Sequence, residues 1–301
     1  MKPRASRIAA PVLVLGATSL IGRFLLPRLE SLGAKTFALS RKAPEGAVGA
    51  MQWVRADLGD TELEAALPKA ATVFALSPIW VLPAALPALK ARGMRRLVAF
   101  SSTSVFTKAG SDDEGERMTA QSLADGEAAV AAFCEAHKVA WTILRPTMIY
   151  AEGRDKNVTR LARLIRRFGV LPLSGQGEGL RQPVHADDLA AGALVAARTP
   201  AACDRAYDLP GGETLTYRQM AERIFKALGR PIRIIAAPDW LWRLGFFLAR
   251  PFLPGATAQM GRRMSSDLVF KATPAERDLQ WNPRSFQPDF STLDRLPRAE
   301  D

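Results

Sequence analysis

Apolar and polar residues follow one another along the chain in blocks typical of alternating strands and helices. Residues 12–16 (VLVLG) form a short apolar run that ends in glycine, which is typical of a strand buried on both faces of a parallel sheet. Apolar side chains then recur at helical spacing up to Leu32, with Pro27 inside the stripe and Gly33 after it, before a second apolar stretch at 35–39. This order predicts a βαβ unit.

The same alternation continues to about residue 144. Apolar stretches predict strands at 52–55, 72–76, 96–100 and 140–144, and helical spacing predicts helices at 61–67, up to about 92 and near 120–137. Strands that alternate with helices favour an α/β fold with a doubly wound parallel sheet.

Beyond Tyr150 the pattern becomes looser. It predicts helices near 157–168, 186–198 and 217–228, strands near 182–184 and 206–209, and no regular element in the glycine-rich stretch 169–179. We therefore expect two domains with interleaved chain segments: the sheet domain at 1–150 and a smaller mixed C-terminal lobe at 151–301.

Composition excludes several classes of protein. With 48% hydrophobic and 24% charged residues, the chain is neither disordered nor collagen-like, and two cysteines cannot form a disulfide scaffold. The net charge is +11, with 18 basic and 13 acidic residues in 1–150 and 23 and 17 in the remainder. Because the excess is spread along the chain, it does not indicate a nucleic-acid partner. The cysteines show no metal-like spacing, and we expect no metal site.

We expect a cytoplasmic protein without a leader or a membrane span, since the apolar run at 12–15 is too short for either. Residues 239–254 combine tryptophans and other aromatics with arginines. This stretch fits an interfacial helix at an anionic membrane, a helix packed on the core, or a lid over an apolar substrate. Its largely apolar composition favours burial, and peripheral membrane contact stays an alternative.

A glycine turn follows the first predicted strand. Glycines at this place allow a tight turn and let the backbone approach a pyrophosphate at the helix N-terminus, so the sequence predicts dinucleotide binding. Ser19 replaces the usual middle glycine, and its side chain would either crowd the phosphates or donate a hydroxyl. The predicted cofactor residues of this turn are Gly16, Thr18, Ser19, Leu20, Ile21 and Gly22.

The residues after the next two strands bear on cofactor choice. Arg41 and Lys42 follow the second strand, where an acidic residue would select NAD; a cationic pair suits the 2′-phosphate of NADP, although a solvated loop explains it too. Asp57 and Leu58 follow the third strand, where they would either meet the adenine or cap the helix at 61–67.

Five motifs make the chain resemble the NAD-dependent epimerase/dehydratase group of the extended or atypical short-chain dehydrogenase/reductase superfamily: GATSLIG at 16–22, ADLGD at 56–60, FSSTSVF at 100–106, ILRPTMIY at 143–150 and QPVHADDLA at 182–190. The resemblance covers nearly the whole chain. It implies a Rossmann fold that binds NAD(P) and a C-terminal lobe that covers a substrate, often a nucleotide-linked sugar.

The resemblance also implies residue roles. Ser102 matches the hydroxyl that orients the substrate, and Pro146, Thr147 and Met148 match the loop against the nicotinamide. The motif that contains His185 and Asp188 is largely architectural in the family.

The chain departs from the family at the catalytic Tyr and Lys. Counted back from Glu127, these positions hold Thr119 and Leu123, which can neither transfer a proton near neutral pH nor supply a cation. Either another group supplies the proton, such as Glu116, Asp125 or a water relay, or the protein binds a dinucleotide without the standard catalysis.

Basic residues are frequent at 154–167, where Arg160, Arg163 and Arg167 share one helical face. This face fits a diphosphate, a lipid head group, another subunit or simply solvent. Since the resemblance locates the segment beside the substrate, Asn157 and Arg181 are candidates for contact with a diphosphate.

The sequence thus supports two functions. One is NADP-linked oxidoreductase or epimerase chemistry on a hydroxyl or carbonyl of a nucleotide-linked or lipid-linked small molecule, with NAD as the less favoured cofactor. The alternative is a non-catalytic NADP-binding accessory or redox-sensing subunit, of the kind that the superfamily contributes to respiratory complex I.

Overall fold

The computed structural model describes residues 8–42, 51–237 and 264–291. They form two compact units whose chain segments interleave. The first unit comprises Met1–Pro146, Ala186–Leu209 and Lys271–Asn282, and the second comprises Thr147–His185, Pro210–Phe270 and Pro283–Asp301.

A seven-stranded sheet forms the centre of the first unit. Its strands are β1 (Val12–Leu15), β2 (Thr36–Ser40), β3 (Gln52–Arg55), β4 (Thr72–Ala75), β5 (Arg96–Phe100), β6 (Ala140–Pro146) and β11 (Arg205–Leu209). The order across the sheet is β11-β6-β5-β4-β1-β2-β3, and every neighbouring pair is parallel. This confirms the predicted doubly wound sheet.

Helices cover both faces of this sheet. They are α1 (Gly22–Ser31), α2 (Leu63–Ala66), α3 (Leu82–Ala91), α4 (Ser104–Thr107), α5 (Glu114–Ala136), α7 (Ala186–Arg198) and α9 (Thr273–Leu279), with 3-10 turns at Ile79–Val81 and Pro200–Ala202. α1 packs on α7 on one face, and α3 packs on α5 on the other. Because both faces are covered, β1, β4 and β5 are buried along their whole length, as their continuous apolar runs predict.

The sheet has its topological switch point between β1 and β4. The chain goes from β1 outward to β2 and β3, and then returns to β4 on the other side of β1. In doubly wound sheets a ligand binds outside the carboxyl ends of the strands at this point.

The second unit is smaller and mixed. Its strands are β7 (Ile149–Tyr150), β8 (Leu171–Ser174), β9 (Leu180–Arg181), β10 (Val184–His185), β12 (Leu215–Thr216) and β13 (Ile234–Ala237), which pair as β7–β10, β8–β13 and β9–β12. Its helices are α6 (Val158–Phe168) and α8 (Tyr217–Ala227). Their apolar faces enclose a core with Tyr150, Phe225 and Phe286.

Some elements differ from the sequence prediction. β8 lies within the glycine-rich stretch expected to be irregular, and β13 and α9 were not predicted at all. α5 begins at Glu114, about six residues before the predicted start, because the carboxylate of Asp113 accepts the Glu116 amide and caps the helix. Residues 239–254 lie outside the described part of the chain. Within that part, no helix is long and apolar enough to cross a membrane.

Candidate functional site

The turn after β1 leaves no room for a side chain at either of its two glycines. Gly16 has φ +67°, and a Cβ added there would lie 2.9 Å from the Ser77 amide nitrogen. A Cβ at Gly22 would lie 2.2 Å from the backbone oxygen of Ala17. The turn therefore brings bare backbone and the N-terminus of α1 to the carboxyl edge of the sheet, as a pyrophosphate site requires.

Ser19 stabilises the start of α1. Its Oγ accepts a hydrogen bond of 3.2 Å from the Gly22 amide, which has no partner within the helix. The hydroxyl proton of Ser19 then remains to be donated outward, which fits the donor alternative better than the crowding alternative. Between them, Leu20 is half-buried and Ile21 is buried, so these two residues anchor the turn.

The cationic pair lies beside this turn. Ser40, the last residue of β2, has its hydroxyl 3.3 Å from that of Thr18 and accepts a hydrogen bond from the Lys42 amide. Arg41 and Lys42 are exposed. The pair is thus attached to the glycine turn with both side chains open to a ligand.

Asp57 closes a local turn instead of capping a helix. Its Oδ1 accepts the Gly59 amide at 3.1 Å, and α2 begins only at Leu63. The helix-cap alternative is therefore wrong. The carboxylate of Asp57 is exposed, whereas the side chain of Leu58 is buried in the core of the first unit, so Leu58 has only its backbone to offer a cofactor.

Two serines at the carboxyl edge escaped the sequence analysis. Ser77 follows β4 and Ser101 follows β5, and neither buried Oγ has a hydrogen-bond partner among the described residues. Buried hydroxyls are normally bonded, so two unpartnered ones on adjacent strands at a ligand edge fit a bound polar group. Their signal in the sequence was a serine placed directly after an apolar strand.

Ser102 lies in a turn that is tied to the end of β6. Its Oγ accepts the Ser104 amide at 3.1 Å, and its neighbour Thr103 donates to the Pro146 carbonyl from both its amide, at 3.1 Å, and its hydroxyl, at 3.2 Å. Because the Ser102 oxygen acts as an acceptor here, its proton remains available for a substrate oxygen.

The loop after β6 continues into the second unit. The Thr147 hydroxyl donates to the Gln182 carbonyl, and the Met148 carbonyl accepts the Val184 amide at 2.9 Å. The Met148 side chain packs partly against the core of the second unit. Contact of Thr147 and Met148 with a nicotinamide stays a prediction.

At the two positions of α5 where the sequence analysis expects the family's Tyr and Lys, neither side chain can transfer a proton near neutral pH. The Thr119 hydroxyl donates to the Gly115 carbonyl at 2.8 Å, and Leu123 is buried in the core. Of the proposed substitutes, Asp125 is exposed and accepts a hydrogen bond from Gln121. Glu116 lies three residues before Thr119, so it shares that face, and it accepts a hydrogen bond of 2.7 Å from the Ser111 hydroxyl.

The next turn of α5 contributes to a buried charged cluster. Glu127 holds Arg145 of β6 with two hydrogen bonds from Nε, at 2.9 and 3.0 Å, and Asp208 of β11 lies 3.7 Å from the same guanidinium. Burial disfavours the charge on Arg145, but the two carboxylates outweigh it and raise its pKa. Burial raises the pKa of Asp208. With two carboxylates to one guanidinium, the cluster cannot replace the missing lysine as a net positive charge.

The candidate substrate residues lie in the second unit in different surroundings. Asn157 is exposed, and its side-chain amide donates to the Ile149 carbonyl at 3.1 Å. Arg181 is 2% exposed, and its Nη1 donates to the carbonyls of Leu180 and Ser266. Burial lowers the pKa of Arg181. Arg181 thus fixes local backbone, and its contact with a substrate stays a prediction.

His185 has a structural partner in the same unit. Its Nε2 lies 3.2 Å from a carboxylate oxygen of Glu152, and its ring packs edge-on against Tyr150. Burial alone would raise the pKa of Glu152, but the hydrogen bond with His185 and backbone donors lower it on balance. This supports an architectural role for His185. Among the described residues there is no group of three or more potential metal ligands.

Comparison with known proteins agrees with this geometry. The family model "NAD dependent epimerase/dehydratase family" matches residues 83–209. The chain is 28% identical over 320 residues to the 2-alkyl-3-oxoalkanoate reductase of Stenotrophomonas maltophilia, covering 91% of this chain and 94% of the reductase. It is 27% identical over 251 residues to NADH dehydrogenase [ubiquinone] 1 alpha subcomplex subunit 9 of Arabidopsis thaliana, covering 75% of this chain and 60% of that mitochondrial subunit.

A solved structure shows the same fold. The UDP-glucose 4-epimerase of Thermotoga maritima, determined with UDP-glucose, superposes with a TM-score of 0.72 over 94% of this chain and 98% of the epimerase, at 15% identity. The glycine turn, the parallel sheet and the family match lead to one conclusion. The chain is similar to the NAD-dependent epimerase/dehydratase family over residues 83–209, and it has the Rossmann fold of the solved epimerase.

Proposed function

We propose that this protein is an NADP(H)-dependent oxidoreductase that acts on a hydroxyl or carbonyl group without the tyrosine and lysine of its superfamily. The observation that carries the proposal is the carboxyl edge of the sheet. Two buried hydroxyls without a partner among the described residues lie there, and one of them belongs to Ser77, whose backbone adjoins a turn that only glycine can form. The full-length match to a reductase supports hydride chemistry over binding alone.

The first unit would hold the dinucleotide through its backbone and short hydroxyl side chains. The amides at the start of α1 and the Ser19 hydroxyl would bind the pyrophosphate, and Ser77 and Ser101 would donate to polar groups farther along the cofactor. Arg41 and Lys42, both exposed next to the turn, support a 2′-phosphate and hence NADP over NAD.

When bound, the nicotinamide would supply or accept the hydride. Ser102 would orient the substrate oxygen by donating its hydroxyl proton, because its own oxygen already accepts the Ser104 amide. Glu116 is the carboxyl group on the relevant face of α5, one turn before Thr119, and is our candidate for delivering the proton. Its hydrogen bond from Ser111 would steady the carboxylate after that transfer.

The substrate class that we propose is a diphosphate-linked small molecule. The solved epimerase contains UDP-glucose, and Asn157 and Arg160 bring an amide and a cation to the start of α6. Arg181, which is buried and bonded to two backbone carbonyls, would support the substrate site by fixing its backbone.

A second candidate is a non-catalytic NADP(H)-binding subunit. Thr119 is hydrogen-bonded to its own helix and Leu123 is buried, which favours this alternative, as does the similarity to a subunit of NADH dehydrogenase. It needs the same cofactor site but no proton donor.

A fluorescence titration tests the cofactor site. We expect NADPH to bind at least about tenfold more tightly than NADH, and the double variant R41A/K42A to remove that difference, because each cation would contribute about 1 kcal/mol or more to holding the 2′-phosphate. The matched control K35A/R95A removes one lysine and one arginine from exposed positions just before β2 and β5, at the opposite edge of the sheet. If the control variant loses the same preference, the assignment of Arg41 and Lys42 is wrong.

A turnover assay separates the two candidates. We expect NADPH oxidation with a 2-alkyl-3-oxoalkanoate or NADP⁺ reduction with UDP-glucose, with Glu116→Gln lowering kcat about 100-fold while the affinity for NADPH is unchanged. NADPH binding without turnover on either probe would favour the non-catalytic subunit. Absence of binding would refute both.

A further inference from the structure

The second unit contains one local arrangement twice: a helix, a left-handed glycine and a strand. Gly169 follows α6 with φ +69°, and Gly229 follows α8 with φ +63°. The strands that follow, β8 and β13, pair in parallel with Leu171 opposite Ile234, and α6 packs on α8. Because a short loop joins each helix to its strand, the carboxyl ends of both helices and the starts of both strands lie together.

This end of the second unit is strongly basic. Residues 163–172 and 226–237 contain no aspartate or glutamate, and their six cations are Arg163, Arg166, Arg167, Lys226, Arg230 and Arg233. Cations at helix C-termini are favoured by the helix dipole, so a purely structural explanation exists for some of them. It does not explain Arg230 and Arg233, which lie beyond the end of α8 and are exposed.

Large apolar side chains are exposed among these cations. Phe168 is 58% exposed, Ile232 45% and Ile235 58%. The guanidinium of Arg167 lies 5.2 Å from the centre of the Phe168 ring. Exposed apolar side chains cost free energy in water, and their occurrence within the two basic segments points to a partner that takes up both apolar and cationic groups. We call Phe168, Ile232, Ile235 and the six cations the basic apolar end.

We propose that the basic apolar end docks on an anionic lipid surface. The apolar side chains would enter the boundary between head groups and acyl chains, while the arginines would contact lipid phosphates. A nucleic acid would use the cations but not Ile232 and Ile235, since aliphatic side chains offer no ring for base stacking. The proposal does not depend on catalysis or on cofactor binding.

Vesicle sedimentation of the full-length protein tests the proposal. We expect binding to vesicles of phosphatidylglycerol and phosphatidylcholine in equal parts, and little binding to pure phosphatidylcholine. The variant R167A/R230A/R233A should bind about 100-fold more weakly, at about fivefold for each arginine near the surface. F168S/I235S should weaken vesicle binding more at high salt than at low salt, because salt screens the electrostatic contribution and leaves the burial of apolar groups.

The matched control removes the same charge elsewhere. R23A/R55A/R95A replaces three exposed arginines of the first unit, so its net charge equals that of the first variant. We expect it to sediment like the unmodified protein. An equal loss in both variants would show attraction by overall charge alone, and unchanged binding of R167A/R230A/R233A would show a different docking face. If single-stranded RNA binds with the same dependence on Arg167, Arg230 and Arg233 and without any effect of F168S/I235S, the lipid assignment is wrong.

Discussion

Replacing Ser77 and Ser101 by alanine should change stability and cofactor affinity in opposite directions. Each hydroxyl is buried, and within the described ranges none of the other residues bonds to it. A buried polar group without a partner costs about 1–3 kcal/mol, so its removal should leave the cofactor-free protein equally stable or more stable by about 1 kcal/mol. In a protein of this size, that gain corresponds to about 2–4 °C in Tm.

The same substitutions should weaken NADPH binding. A lost hydrogen bond of about 1 kcal/mol raises Kd about fivefold, so S77A/S101A should raise it about 25-fold. At an NADPH concentration about 100 times the Kd of the unmodified protein, the ligand then stabilises that protein by about 2.7 kcal/mol and the double variant by about 1 kcal/mol.

Thermal unfolding with and without NADPH measures both effects in one assay. Ser122→Ala is the matched control, because its hydroxyl bonds to the Met118 carbonyl on the exposed face of α5 and should affect neither measurement much. A cofactor-free S77A/S101A protein that is less stable, with unchanged affinity for NADPH, would show that the two hydroxyls serve the fold and would refute the reasoning.

Three further predictions concern single residues. Gly22→Ala should reduce NADPH affinity at least about tenfold in a fluorescence titration, because its Cβ would lie 2.2 Å from a backbone oxygen of the same turn; unchanged affinity would contradict the assigned turn. The hydrogen bond from Arg277 lowers the pKa of Asp278 to about 2, so its stabilising effect should be present above about pH 4 and disappear as the pH falls toward 2. The urea midpoints of Asp278→Asn and the unmodified protein should therefore differ at neutral pH and converge in that range, and a constant difference would refute this. Burial raises the pKa of Cys134 to about 12, so iodoacetamide at about pH 8 should label half-buried Cys203 alone in the native protein and both cysteines in urea, as mass spectrometry would show; native labelling of Cys134 would contradict its burial.

The sheet was predictable from sequence because its central strands are buried on both faces. Continuous apolar runs such as Val12–Leu15 and Leu97–Phe100 have no other simple explanation when glycine or helical spacing follows. The strands of the second unit were harder. β8 contains Pro172, a residue that argues against a strand when only the sequence is known. Its partner strand, Ile234–Ala237, lies about sixty positions farther along the chain, and no local sequence pattern reveals such a pairing.

The part of the site formed by backbone could be predicted from the sequence, and the part that depends on side-chain packing could not. Gly16 and Gly22 indicate the turn in the sequence, because only glycine fits at these two positions. The sequence alone also shows that positions 119 and 123 hold neither tyrosine nor lysine. The sequence could not show that Arg181 would be buried and bonded to two carbonyls. Nor could it show that the hydroxyls of Ser77 and Ser101 would find no partner in the described part of the chain. Such facts depend on which distant groups meet in the folded chain.

Because the segments of the two units interleave, the first unit cannot complete its fold until late in synthesis. The edge strand β11 ends at residue 209 and α9 ends at residue 279, yet both belong to the first unit, whose last segment runs to Asn282. When the first 150 residues have emerged from the ribosome, the sheet therefore still lacks its edge strand β11 and two of its covering helices, α7 and α9. Domains usually fold as they emerge, but this one must keep the apolar side of β6 exposed until most of the chain has followed, and that interval is when chaperones would be needed.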